Sequence, residues 1–234
     1  MNNLLNFIKI SLALAVVFVL TTDLQAQVRS GKLVMEITEV KMPGMDDNPE
    51  AAMTLEMLKG STTTLYFSPT KELMVMDLMG GMMLNRTLTD VKENKVTTYM
   101  DMMGQKMKVD MGNLESVDED VDIQYTIDKN DRKKILGYDC YKVVVTSTAQ
   151  GQTMSLETYI TEDIQVMSSV IQGVQKNQLP GTILSMTLDA GGIYMVTEAI
   201  DFQETFDEKV FVIDDSGYNE MDLETLQRMG GMGF

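Results

Sequence analysis

The stretch that decides the fold is Val121-Asp122-Ile123-Gln124-Tyr125-Thr126-Ile127-Asp128, in which apolar and polar side chains alternate without a break. Successive side chains of a β-strand point to opposite faces of its sheet, so this pattern predicts a strand with one face in the core and the other in water. Similar alternation recurs in residues 33–37, 72–77 and 105–111. The period of a β-sheet therefore dominates the chain.

Other segments of strand length are rich in β-branched, aromatic or other apolar residues. They are residues 63–67, 95–103, 141–147, 154–161, 182–188 and 193–202. Turn-forming pairs such as Gly80-Gly81, Asn130-Asp131 and Pro180-Gly181 fall between strands. Because short turns join antiparallel neighbours, the sequence predicts a mainly β (α+β) protein built on a meandering antiparallel sheet of about ten strands.

Three segments depart from alternation and favour helices. Residues 162–175 carry apolar side chains at three- and four-residue steps, and residues 221–229 end at Gly230-Gly231, a common helix stop. Residues 49–58 are a weaker candidate that could equally begin a strand. Two or three helices are therefore expected beside the sheet, and no domain boundary is visible.

The N-terminus has the features of a signal peptide. Lys9 precedes a mainly apolar run over residues 10–20, and Leu24-Gln25-Ala26 resembles a signal-peptidase site. The run is shorter than the ~20 residues that span a bilayer. We expect residues 1–26 to be removed, leaving residues 27–234 as one exported domain, periplasmic or secreted, with a short C-terminal helix, a flexible tail and no transmembrane span.

The composition excludes several classes of function. The formal charge is −16, from 19 Lys and Arg against 35 Asp and Glu, which argues against nucleic-acid binding. The chain has no His, so the usual catalytic triads and imidazole metal sites cannot form. The single Cys140 is expected to be a small buried residue rather than a nucleophile. No cofactor is indicated, and we expect that the protein is not an enzyme.

Methionine is the most unusual component of the sequence. Of 23 Met residues, ten lie between residues 74 and 111. Strand alternation places six of these ten in pairs on one face of successive strands, and a ligand-binding surface is predicted there. Its members are Met74, Met76, Met100, Met102, Met107 and Met111.

Three interpretations of this cluster remain open. It could be ordinary core, or a deformable apolar concavity for a lipid or other apolar ligand, because Met adapts to more than one partner shape. It could also bind Cu(I) or Ag(I) through thioether sulfurs, since soft ligands select soft metals. The candidates for that soft-metal site are Met100, Met102, Met103 and Met107. A further alternative is a cell-envelope interaction module without a small ligand.

Two segments resemble a known family. They are Ile135-Leu136-Gly137-Tyr138-Asp139-Cys140-Tyr141-Lys142-Val143-Val144 and Glu157-Thr158-Tyr159-Ile160-Thr161-Glu162-Asp163-Ile164. Their arrangement is similar to the I-x-G-Y-x-C-x-K and W/Y-x-T-x-D-I segments of exported Gram-negative proteins of domain-of-unknown-function family 4412. Gln178-Leu179-Pro180-Gly181-Thr182-Ile183-Leu184 is similar to the motif of the related GLPGLI family, from which it departs at Gln178 and Thr182.

The resemblance implies an open, strongly curved antiparallel sheet, or half-barrel, with helices packed on its concave side, as in lipoprotein carriers of the bacterial periplasm. It brings no catalytic residue with it. Together with the Met cluster, it leads us to expect an exported, non-enzymatic protein that holds a lipid, a lipidated peptide or another apolar ligand in a Met-lined pocket.

Overall fold

The structure, a computed structural model, describes residues 27–42, 49–112, 122–149, 152–166, 179–190, 192–223 and 225. The predicted signal peptide lies outside these residues. So do residues 167–178 and the chain beyond residue 225, which include most of two predicted helices.

Alternation of side chains produces twelve strands in the described residues. They are β1 (Gly31–Lys41), β2 (Thr62–Phe67), β3 (Lys71–Leu78), β4 (Met83–Asp90), β5 (Lys95–Met102), β6 (Gln105–Gly112), β7 (Asp122–Ile135), β8 (Tyr138–Ala149), β9 (Gln152–Thr161), β10 (Thr182–Ala190), β11 (Ile193–Gln203) and β12 (Asn219–Met221). They form one open sheet in the order β12-β6-β5-β4-β3-β2-β1-β11-β10-β9-β8-β7. All pairings are antiparallel except that of β12 with β6.

The mainly β prediction is confirmed, and each predicted strand is present. Two strands were not predicted, β4 and β12. In β4 one face carries Asn85 and Thr87, and the other places Arg86 between Leu84 and Leu88, so the segment lacks a clean apolar face. Strand β12 has only three residues and depends on pairing with distant β6, which no local pattern reveals.

The prediction of two or three helices is wrong for the described residues, which contain one α-helix, α1 (Pro49–Leu58), and one 3₁₀ helix (Glu208–Phe211). Helix α1 was the weakest of the three candidates. Proline suits the first helical position, and Glu50 lies near the positive end of the helix dipole. Residues 162–166 are not helical: Ile164 forms a parallel bridge with Val28, and its side chain is buried in the core.

The core lies mainly on one face of the sheet, along the strands from β2 through β1, β11, β10 and β9 to β8. Leu33 of β1, Val143 of β8 and Ile160 of β9 are completely buried there, and aromatic rings close one end. Tyr138 packs edge-on against Phe202, with ring centroids 5.5 Å apart. Burying such side chains is the main source of stability, at about 25 cal/mol per Å² of apolar surface.

Candidate functional site

Strand pairing brings the predicted methionines together on the same face as the core. Met76 of β3 lies opposite Asn85 of β4, which lies opposite Met100 of β5, which in turn lies opposite Met107 of β6. Directly paired residues point to the same side of a sheet, so this row shares one face. A second row pairs Met83 with Met102.

We call this surface the Met face and define it by the methionines that register and alternation place on it. They are Met74, Met76, Met83, Met100, Met102 and Met107. All six are half-buried. Met74 packs against the buried core cluster. The Met face is therefore a continuation of the core that keeps part of its apolar surface accessible.

Two predicted residues are placed differently. Met111 lies where the pairing of β6 with β5 shifts register, between Asp110 and Gly112, and has no direct partner on β5. Met103 forms the two-residue turn between β5 and β6 with Gly104 and is 80% exposed. The positive φ angles of both turn residues, 53° and 88°, fit the tight two-residue turn of a β-hairpin.

The predicted soft-metal set is therefore only partly assembled. Met100, Met102 and Met107 share the Met face, and Met103 does not. No group of three or more Asp, Glu or Cys side chains that could hold a metal ion occurs in the part of the chain that the structure describes.

Strand β4 contributes a polar stripe that sequence reasoning missed. Asn85, Thr87 and Thr89 alternate on the Met face, and Thr87 Oγ1 lies 3.3 Å from Thr98 Oγ1 of β5. The stripe went unnoticed because no strand was assigned to these residues. A usable signal did exist: the turns at Gly80-Gly81 and Glu93-Asn94 enclose a segment of ordinary strand length.

The same face continues across the other half of the sheet with more methionines. Met35 of β1 lies opposite Thr63, Met186 of β10 opposite Thr197, and Met195 of β11 opposite Leu188. Sequence analysis could place each of them on a strand. It could not assign them to this face, because the face depends on pairing between strands that are distant in the chain.

The opposite face of β2–β6 is covered by the chain itself. We call residues 204–221 the strap. Its Phe206 ring packs against Tyr66 with centroids 5.5 Å apart, and its Tyr218 ring meets Tyr99 edge-on at 5.4 Å. Tyr66 and Tyr99 alternate with residues of the Met face and so lie on the other side of the sheet.

Charged groups concentrate on the strap side. Lys108 Nζ lies 2.7 Å from Asp215 Oδ2 of the strap. The hydrogen bond from Lys108 lowers the pKa of Asp215, and the same bond raises the pKa of Lys108. Within strands β2–β6, all of which are described, the only charged side chain that register places on the Met face is Glu72, which is buried.

Cys140, the cysteine of the resemblance motif, is buried as expected. Burial raises the pKa of its thiol to about 11, and its Sγ donates a weak hydrogen bond to the carbonyl oxygen of Tyr138 at 3.7 Å. A thiol of that pKa is almost entirely protonated at neutral pH and is a poor nucleophile. The geometry gives this residue a packing role.

No described helix has the length and apolarity needed to cross a bilayer. A profile of the family described as "Domain of unknown function (DUF4412)" matches residues 50–198. The match covers more than half of the chain, and the protein belongs to this family, as the motif resemblance predicted. A search among curated proteins found no match.

Three solved structures are similar to this chain. The lipoprotein LppX of Mycobacterium tuberculosis is 10% identical, with a TM-score of 0.34 over 78% of this chain and 90% of that one. LprF of Mycobacterium bovis is 13% identical, with a TM-score of 0.30 over 78% and 88%. A LolA superfamily protein of Nitrosomonas europaea is 10% identical, with a TM-score of 0.26 over 81% and 92%. TM-scores of this size establish neither a shared ligand nor a shared function.

Proposed function

We propose that this member of the DUF4412 family is an exported, non-enzymatic binding protein that holds a lipid or another apolar ligand on the Met face. One observation carries the proposal. Six half-buried methionines share one face of β3–β6, while the strap covers the other face of β2–β6. The strap thus covers the face of β2–β6 that carries most of the charged side chains, and apolar area stays accessible on the Met face.

The chemistry of methionine suits this role. Its side chain is unbranched and polarizable and adapts to irregular partners, as a surface that accepts flexible acyl chains requires. Burial of apolar area at about 25 cal/mol per Å² supplies affinity without a charged contact. An open sheet of twelve strands generally curls. Curling toward the Met face would make the concavity that the family resemblance implies.

The proposal of a non-enzymatic protein rests on the groups that the chain offers. The sequence has no His, and its single thiol is buried with a pKa of about 11. Across β3–β6 the half-buried and exposed polar groups of the Met face are thioethers, amides and hydroxyls, none of which is a general base at neutral pH, and the one carboxyl side chain on this face, Glu72, is buried. This set of groups favours binding over turnover.

The test is a paired substitution on the face. Met100→Glu with Met107→Glu places two carboxylates directly opposite each other on neighbouring strands. Unpaired carboxylates in an apolar site are strongly unfavourable, so binding of the uncharged dye N-phenyl-1-naphthylamine should fall at least tenfold. Displacement of the dye by lipids extracted from the source membrane would identify the ligand class.

The matched control carries the same added charge at exposed positions outside the strands, in helix α1 and in the β5–β6 turn. Met53→Glu with Met103→Glu changes two methionines that are 67% and 80% exposed. This control should bind the dye as the parent protein does. Equal dye affinity in both double variants would refute the proposed site.

Export is the second part of the proposal and rests on residues 1–26. Mass-spectrometric analysis of the N-terminus of the protein made in a Gram-negative host should find Gln27 as the first residue. Recovery of a chain that still begins at Met1 would contradict export by this signal.

A further inference from the structure

We propose that the ligand of the Met face is a neutral amphiphile that carries a hydroxyl or amide hydrogen-bond donor, and that Asn85 and Thr197 receive its polar groups. This inference rests on the proposed function and specifies its ligand. It starts from two buried oxygen atoms that have no hydrogen-bond partner in the structure: Asn85 Oδ1 and Thr197 Oγ1.

Asn85 lies in the middle of the Met face. Register places it directly between Met76 on β3 and Met100 on β5. Its amide oxygen is thus a buried acceptor among thioether side chains. Buried polar atoms in proteins are nearly always hydrogen-bonded, so an unpaired acceptor at this position requires an explanation.

Thr197 repeats the arrangement in the other half of the sheet. It is 3% exposed and lies opposite Ile37 of β1 and Met186 of β10, on the same face as Met35. Four strand-to-strand steps separate β4 from β11 in the sheet order, or about 19 Å along the sheet at the usual strand spacing. Two polar groups of one extended ligand, or two ligands, could occupy these positions.

Other buried threonines show that the fold can satisfy a hydroxyl internally. Thr158 Oγ1 donates to the carbonyl oxygen of Val143 at 2.7 Å, and Thr182 Oγ1 donates to that of Ile164 at 2.8 Å. Thr197 has no such bond. Among the described residues Asp77 Oδ1 is also without a partner, but Asp77 alternates with Met76 and so lies on the strap side.

The two oxygens select the chemistry of the ligand. An amide oxygen only accepts hydrogen bonds, so the group that meets Asn85 must donate one. An ionised fatty-acid carboxylate only accepts hydrogen bonds, so it cannot satisfy this oxygen. Glycerol hydroxyls and amide N–H groups satisfy the requirement. A site built around a buried acceptor discriminates against analogues that lack the donor.

The test compares two uncharged lipids with the same oleoyl chain. 1-Monooleoylglycerol carries hydroxyl donors, and methyl oleate carries none. In displacement of N-phenyl-1-naphthylamine, the parent protein should bind the glycerol ester five- to tenfold more tightly. Asn85→Leu should remove most of this preference and leave the affinity for methyl oleate unchanged or higher, and Thr197→Val, which is nearly isosteric, should reduce the preference.

The control variant makes the same amide-to-Leu change at an exposed position. Gln105→Leu lies on the same face, opposite Met102 at the end of β6, and should keep the full preference. Equal affinity of the parent protein for the two lipids, or a preference that survives both Asn85→Leu and Thr197→Val, would overturn the inference while leaving the proposed apolar site intact. Failure of both lipids to displace the dye would instead overturn the proposed function.

Discussion

Raising the pH should destabilise this protein through Cys140, and the size of the effect follows from its burial. Burial raises the pKa of the thiol from 9.0 to about 11. The folded state therefore holds the proton more tightly than the unfolded state, so the stabilisation is complete below pH 9 and disappears as the pH rises toward 11. One pKa unit is worth about 1.4 kcal/mol, so the full contribution is on the order of 3 kcal/mol, and about half of it is lost by pH 10.

Urea unfolding of the parent protein and of Cys140→Ala, followed by circular dichroism at pH 7.5 and pH 10, measures this loss. The free energy of unfolding should fall by on the order of 1 kcal/mol more in the parent protein than in the variant. Burial also raises the pKa values of Tyr125, Tyr138 and Tyr141, but these residues are present in both proteins and cancel in the difference. Equal losses in the two proteins would show that Cys140 is not held protonated by the core.

Two further predictions concern the strap and the sulfur atoms. Phe211→Ala removes a buried side chain of the strap and should lower the free energy of unfolding by about 3 kcal/mol in urea titrations. The neighbouring Val212 is 80% exposed, so Val212→Ala should change the free energy of unfolding by less than about 0.5 kcal/mol. Equal effects of the two substitutions would contradict the packing of the strap. Global replacement of Met by norleucine should preserve dye binding, because the replacement conserves side-chain volume and apolarity. Loss of dye binding with an unchanged circular dichroism spectrum would show that the sulfur atoms matter and would favour the soft-metal alternative.

Local periodicity was enough to predict most of the sheet. Strands such as β7 and β6 are predicted correctly because one side of each faces water, so polar and apolar residues alternate in their sequences. Strand β4 was not predicted because neither of its faces is uniformly apolar. Its Met-face positions are Asn85, Thr87 and Thr89, and its other face carries Arg86 between leucines. These three polar residues prevented the prediction of β4, and they also form the polar stripe of the Met face. The strand that the alternation pattern missed therefore lies in the candidate site.

The helix at residues 162–175 shows a different limit. Ile164 has the spacing of a helical apolar stripe, but it is buried through a bridge to Val28, which lies more than a hundred residues earlier in the chain. A short apolar pattern cannot distinguish a helix from an extended segment that enters the core. The remainder of this predicted helix, residues 167–178, lies outside the described residues.

The distribution of methionine within the sheet supports the proposal that the Met face is a binding surface rather than ordinary core. Fully buried positions are filled by branched or aromatic side chains such as Leu33, Ile160 and Phe67, which lock into defined rotamers. Among the described methionines only Met35 is buried, and the six of the Met face remain half-buried. A flexible side chain is a weak choice for a unique core and a strong choice for a surface whose partner varies in shape. Branched and aromatic residues therefore occupy the fully buried positions, and the half-buried methionines lie where the proposed function places a flexible apolar ligand.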